Sequence, residues 1–165
     1  MISFSSAQAL FTYRVAGVCI DSHHVLLQIS ADGSFWFLPG GRVEMMETSE
    51  AALRREMREE LELDHDVQVE RLLWVVENLF TDEGTSNHEI GFYYQIAFAN
   101  HPELYDKSKA LTAIENTGPY ADNPLTFALR WFPLDTLDDL PLYPTFLKTA
   151  LRSLPASVQH IVHTD

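Results

Sequence analysis

The segment from Thr48 to Leu61 constrains this chain more than any other, because its residues repeat with the period of a helix and sort onto distinct faces. Leu53, Met57 and Leu61 recur every four residues and form an apolar stripe that needs a core to pack on. Glu56, Glu59 and Glu60 share an adjacent arc roughly 100° wide, and Arg54, Arg58 and Glu62 take the remaining, solvent-facing side. Thr48 or Ser49 can cap the N-terminus, and Glu50 suits the first turn.

Side chains three and four apart on a helix are neighbours, so three such carboxylates repel one another unless a positive charge sits among them. A solvated, charge-laced helix is the plain reading. A divalent cation is the chemical one. Mg²⁺ takes hard oxygen ligands from a few carboxylates and completes its shell with water and phosphate, and Mn²⁺ can replace it. Arg55, one turn before Glu59, can brace that carboxylate as an outer partner. The preceding residues favour the cation. Phe35-Trp36-Phe37-Leu38 reads as a short strand closed by Pro39-Gly40-Gly41, and glycine allows the backbone to approach a ligand closely.

The rest of the chain reads as mixed α and β. Strands are expected at 13–20 and 24–30, joined by a turn at Asp21–His24, and at 66–79 as one long or bent strand or two. Another is expected from Glu89 to Phe98 and a last one from Phe127 to Phe132. Residues 99–126 read as a long irregular connection with a helical turn at 103–111. Tyr143–Leu154 reads as a terminal helix begun by Pro144, and 155–165, with His160 and His163, as a frayed tail. Hairpins mixed with helices point to a mixed sheet with helices packed on it.

The chain has 165 residues, which suits one domain spanning 1–165. A net charge of −13 with no basic cluster argues against nucleic acid and anionic membranes as partners. It leaves room for a small polyanion bridged to the protein by a cation. The single cysteine, Cys19, sits in an apolar run and reads as a buried hydrophobe. No apolar stretch reaches the roughly 18 residues of a membrane span and no signal-type segment opens the chain, so a cytoplasmic protein is expected.

The segment 41–63 resembles the Nudix box, G-x5-E-x7-R-E-U-x-E-E-x-G-U with U aliphatic. The matching residues are Gly41, Glu47, Arg55, Glu56, Met57, Glu59, Glu60 and Leu63. Six fixed matches at these spacings arise by chance on the order of 10⁻⁴ of the time or less. Two positions depart. Glu62 stands where the box has its second glycine, and Met45-Met46 replaces the Pro-Gly that many relatives carry before Glu47. The likeness extends to Arg14–Val18, Val25–Leu27, Trp36–Gly41, Trp131–Asp135 and Leu140-Pro141, roughly residues 13–150.

The resemblance implies an α+β fold, the Nudix α/β/α sandwich, with a mixed sheet flanked by helices. It implies a Mg²⁺-dependent hydrolase acting on a small nucleotide-like diphosphate. The alternative is a catalytically silent Nudix module that binds a nucleotide as a sensor or interaction partner. By resemblance, Glu56, Glu59 and Glu60 bind metal, with Glu47 and the Gly40 carbonyl as further ligands. Arg55 positions a glutamate, and Gly41 lets the backbone turn close to phosphate. Arg14, Arg42 and Arg130 are candidate substrate contacts. Glu59 is the first choice for general base, with Glu89 on a distant strand the second. Trp74, Phe80, Phe92, Tyr93, Tyr94 and Tyr120 are candidates to stack on a base, but at strand spacing most of them read as core in preference. Homodimerisation is left open.

Overall fold

The computed structural model describes residues 1–6, 9–82, 84–115 and 122–165. Its strands, in chain order, are β1 (Ser3–Ser5), β2 (Ala9–Val18), β3 (Ile20–Asp21), β4 (His24–Ile29), β5 (Trp36–Phe37), β6 (Gln68–Asp82), β7 (Thr85–Ala97), β8 (Leu111–Glu115), β9 (Leu125–Pro133) and β10 (Gln159–Thr164). The helices are α1 (Ser49–Glu60) and the one-turn α2 (Leu147–Ala150). The first sheet has the order β1-β2-β7-β6-β10 and is mixed, since β2–β7 and β6–β10 are parallel while β1–β2 and β6–β7 are antiparallel. The second, β3-β4-β9-β8 with β5 on β4, is antiparallel throughout.

Two apolar clusters hold these layers together. Leu53 and Met57 of α1 pack with Val15, Tyr94, Ile96, Leu129 and Trp131. Ala16, Val18, Trp74 and Tyr93 pack with Leu142, Leu147 and Leu151 from the C-terminal region. Alternation along β2 and β7 therefore assigns one face of the first sheet to α1 and the other to the C-terminal segment. Leu53 and Met57 are fully buried, so cutting either to alanine costs about 2–5 kcal/mol. Cys19 is buried as expected, and desolvation pushes its thiol up to about 12.

Several expectations change. The mixed sheet is accompanied by a second sheet. The 66–79 and 89–98 strands are parts of one long hairpin, bent by register shifts near Val69 and Leu72 and turned at Gly84 with φ +81°. The 99–126 connection contains β8, and its helical turn is a 3-10 turn at Pro102–Tyr105. Tyr120 lies outside the described residues. The terminal helix shrinks to α2 because its flanks close i→i−3 bonds, such as Lys148 to Thr145 and Arg152 to Thr149, which is 3-10 geometry. The tail is not frayed: β10 pairs in register with β6, and Asp165 accepts hydrogen bonds from the Thr145 amide and hydroxyl.

Candidate active site

The site is built on the loop 39–47 and α1. Thr48 Oγ1 accepts from the Ala51 amide and caps α1, and Ser49 Oγ is hydrogen-bonded to Tyr94 Oη at 2.6 Å, pinning the first turn to the sheet. The loop lies along β2. The Val15 amide donates to the Gly41 carbonyl and the Gly17 amide to the Pro39 carbonyl. Gly40 has φ +147°, and a β-carbon there would sit 2.2 Å from the Val15 carbonyl oxygen. At Gly41 it would sit 2.1 Å from the Glu56 carboxyl carbon. The two glycines therefore let the loop press against both β2 and a carboxylate.

Arg55 ties the loop to the helix. Its Nε and Nη2 donate to the two Glu47 oxygens, both at 2.9 Å. Nη1 donates to Glu56 Oε1 at 2.8 Å and to Glu59 Oε2 at 3.5 Å, and Nη2 also reaches the Arg42 carbonyl. Glu47 in turn accepts from the Glu44 amide. Hydrogen bonding to Arg55 draws the Glu47 carboxyl below its ordinary range and raises the guanidinium.

Three carboxylates converge beside this brace: Glu56, Glu60 and Glu115, each with an oxygen within 4.8 Å of the others. Burial is the largest influence on Glu56 and raises its pKa against the pull of Arg55. Burial, then repulsion from Glu56, pushes Glu60 up to about 8. Glu60 Oε2 is buried with no hydrogen-bond partner among the described residues. Hard oxygen donors, excess negative charge and an orphaned buried oxygen are the conditions a small divalent cation satisfies. Glu115 was not expected. It ends β8, inside the stretch read as irregular, and has no spacing relation to α1.

The remaining candidates are distributed around this cluster. Glu59 stands at the rim, its side chain 36% exposed, and among the described residues its side chain is held only by the long contact to Arg55. The Gly40 carbonyl accepts from Arg14 Nη2 at 3.3 Å. Arg14 also acts electrostatically on Glu56 and Glu60, opposing the upward shift of both. Arg42 and Arg130 are exposed, and Arg42 reaches Met1 Sδ. Glu89 lies on β7 with Tyr93, on the sheet face away from α1, and does not join the carboxylates. Trp74, Tyr93 and Tyr94 are core residues, and Phe80 and Phe92 are half-buried. A surface groove of about 300 Å³ lies at the β6–β7 hairpin end, lined by Leu79, Ser86, His88 and Asp165, and holds none of the α1 carboxylates.

The two departures from the box fall at left-handed backbone positions: Met46 has φ +64° and Glu62 has φ +51°. The backbone turns that glycine usually supplies are thus made here by other residues.

The NUDIX domain family model matches residues 10–154. Among solved structures, the chain is similar to an ADP-ribose pyrophosphatase from Streptococcus suis, with a TM-score of 0.54 and 19% identity over 92% of this chain and 98% of that one. It is similar to the mutator protein MutT from Bacillus halodurans, with a TM-score of 0.55 and 18% identity over 93% and 90%. It is also similar to a Nudix hydrolase from Nitrosomonas europaea, with a TM-score of 0.54 and 16% identity over 98% and 82%. No individually curated protein matches by sequence. At these identities the structural likeness establishes the shared fold. Among the described residues, no helix is long and apolar enough to cross a membrane.

Proposed function

The chain belongs to the Nudix hydrolase family, and on that premise we propose that it hydrolyses a diphosphate linkage in a nucleoside diphosphate joined to another group, with Mg²⁺ held by α1. The observation that carries this reading is the convergence of Glu56, Glu60 and Glu115 around a buried oxygen with no hydrogen-bond partner among the described residues. Glu56 and Glu60 would hold the cation, with Glu115 the third carboxylate and Glu59, Glu47 and the Gly40 carbonyl at its margin. Bound Mg²⁺ supplies an acidified water and neutralises charge on the phosphoryl oxygens.

The chain's own residues do the rest. Arg55 orients Glu56 through their 2.8 Å contact and fixes the loop through Glu47. Gly41 keeps the backbone clear of the Glu56 carboxylate. Arg14 offers its charge to phosphate oxygens that approach the Gly40 carbonyl. Glu59, half-exposed at the rim, accepts the proton of the attacking water on a carboxylate oxygen, where solvent can then remove it.

A product-identified screen of nucleoside triphosphates, nucleotide sugars and dinucleoside polyphosphates, with Mg²⁺, Mn²⁺ or chelator, tests the reading. Turnover is expected only with metal. Glu59→Gln should fold as the wild type does and lose turnover by roughly 10²–10⁴-fold. Wild-type turnover in that variant removes Glu59 from the base role. Nucleotide binding without turnover of any compound would make the chain a silent module.

A further inference from the structure

A second orphaned oxygen lies in the layer between α1 and the second sheet. Gln28, on β4, is 3% exposed, and its Oε1 has no hydrogen-bond partner among the described residues. Strand register fixes the face it occupies. Phe37, Gln28, Leu129 and Leu111 stand level across β5, β4, β9 and β8, so all four share one face. Leu129 and Leu111 belong to the apolar cluster that includes Leu53 and Met57, so this is the face turned towards α1. Glu115, four residues along β8 from Leu111, lies on it too. The amide and the carboxylate cluster therefore share one floor. They are separated by about 13 Å along β8 and about 10 Å across two strand spacings, the scale of an extended nucleoside diphosphate.

Only part of this floor is sealed. Ala113, Leu129 and Trp131 are buried in the cluster with α1, whereas Phe37 and Phe127 are half-buried. Phe37 stands directly opposite Gln28, with β-carbons about 4.5–5.5 Å apart. The Arg14 guanidinium lies 5.2 Å from the centre of that ring. It donates to the Gly40 carbonyl and, among the described residues, pairs with no carboxylate. The orphaned amide is thus tied, through one ring, to the cation that the proposed function assigns to phosphate. A flat group laid on the open part of the floor comes down on the amide.

The orphaned atom sets the chemistry of its partner. Oε1 is an acceptor, so the ligand must bring an N–H or O–H. An ionised diphosphate has only acceptors. A nucleoside carries N–H groups on its base and hydroxyls on its ribose, and its rings suit an aromatic neighbour. We propose that Gln28 is a specificity residue, accepting a hydrogen bond from the nucleoside portion of the substrate. The inference rests on the proposed function, which places the phosphates at Arg14 and α1.

Calorimetric titration in Mg²⁺ tests this without turnover. The ligands are the α,β-methylene diphosphates of adenosine, guanosine, cytidine and uridine, and methylenediphosphonate, which lacks a nucleoside. Gln28→Met keeps the volume of the side chain and removes the amide. It should weaken the tightest nucleotide by about 3- to 10-fold and leave methylenediphosphonate within about twofold. It should also raise the melting temperature of the ligand-free protein by roughly 2–4 °C, because the orphaned oxygen is gone. The 2′,3′-dideoxy counterpart of the tightest nucleotide locates the donor. A difference between wild type and variant that survives places the donor on the base, and one that disappears places it on the ribose. Binding of none of the four nucleotides, unchanged nucleotide affinity in Gln28→Met, or an equal loss for methylenediphosphonate overturns the proposal. So does a lower melting temperature, which would make the amide part of the scaffold. Nucleotide binding that depends on Gln28, without hydrolysis of any compound, keeps this inference and removes the proposed function. Hydrolysis that is indifferent to Gln28→Met does the reverse.

Discussion

Glu47 and Glu60 belong to the same loop and helix and live under opposite conditions. Glu47 is saturated: both oxygens accept from Arg55, one also accepts from the Glu44 amide, and its carboxyl is held below the usual range. Glu60 is starved: one oxygen is buried without a partner among the described residues, Glu56 and Glu115 crowd it, and its pKa rises to about 8. A saturated carboxylate stabilises the fold and can stand only at the margin of a ligand. A starved one destabilises the fold, a cost that the proposed cation would relieve. On the proposed function, the difference separates scaffold from receptor within one loop and its helix.

Exchanging charge for an isosteric amide breaks this contrast most sharply. Glu60→Gln should reduce activity by more than the ~10–100-fold typical of an outer partner, and should raise the melting temperature of the metal-free protein. Glu47→Gln should do the opposite to stability, because it unpairs Arg55, and should stay within that ~10–100-fold range for activity. Metal-free melting curves beside kcat/KM for both variants check the pair. If both variants lose stability alike, the receptor reading of Glu60 fails. Arg55→Lys is expected to fall between them, since a lysine cannot make the forked contact to Glu47 while also reaching Glu56.

The same contrast appears in pH. Glu60 has a folded value of about 8 against an ordinary 4.5. Across that window the folded chain holds a proton that the unfolded chain has released, so stability of the metal-free protein falls as pH rises. Glu47 works the other way. Its value is depressed, so its contribution is present above the unfolded value and is lost as pH falls through the folded one. Metal-free melting temperatures should therefore decline between about pH 5.5 and 8.5, and saturating Mg²⁺ should flatten that decline. A metal-free melting temperature that climbs steadily over this range would sink the assignment.

How much of this could be read without the structure depends on distance along the chain. The α1 segment was legible because its period is local and its cap, stripe and acidic arc all fall within 14 residues. The glycine turn was legible for the same reason. Glu115 was not, because β8 is five residues of weak alternation and its meeting with α1 is purely tertiary. The placement of Glu89 turned on strand pairing: whether it faces α1 or the far side is a one-residue question of register, which spacing alone does not answer. Pro144 and an apolar period predict a longer terminal helix than forms, since i→i−3 and i→i−4 turns begin with the same residues. The last strand is not legible in the sequence because Gln159–Thr164 is short and largely polar, and its ladder partner lies far back in β6.

The smallest expected effect concerns the end of α1, where the scaffold side of the contrast can be improved without touching the receptor. The helix stops at Leu61. The Leu63 amide then donates to the Arg58 carbonyl at 3.0 Å, and Glu62 carries the left-handed φ of +51° between them. This is the closing bond of a Schellman cap, whose left-handed position normally holds glycine. A residue with a β-carbon there is strained by about 1–2 kcal/mol, while glycine gives up part of that gain through greater freedom in the unfolded chain. Glu62 is exposed and makes no hydrogen bond or ion pair among the described residues, so nothing else is lost with it. Glu62→Gly should stabilise the protein by about 0.5–1 kcal/mol, a rise of roughly 1–4 °C in melting temperature, with kcat/KM unchanged. A fall in melting temperature would show that the Glu62 side chain contributes to the cap itself, and that the departure from glycine is a second brace on the helix that carries Glu56 and Glu60.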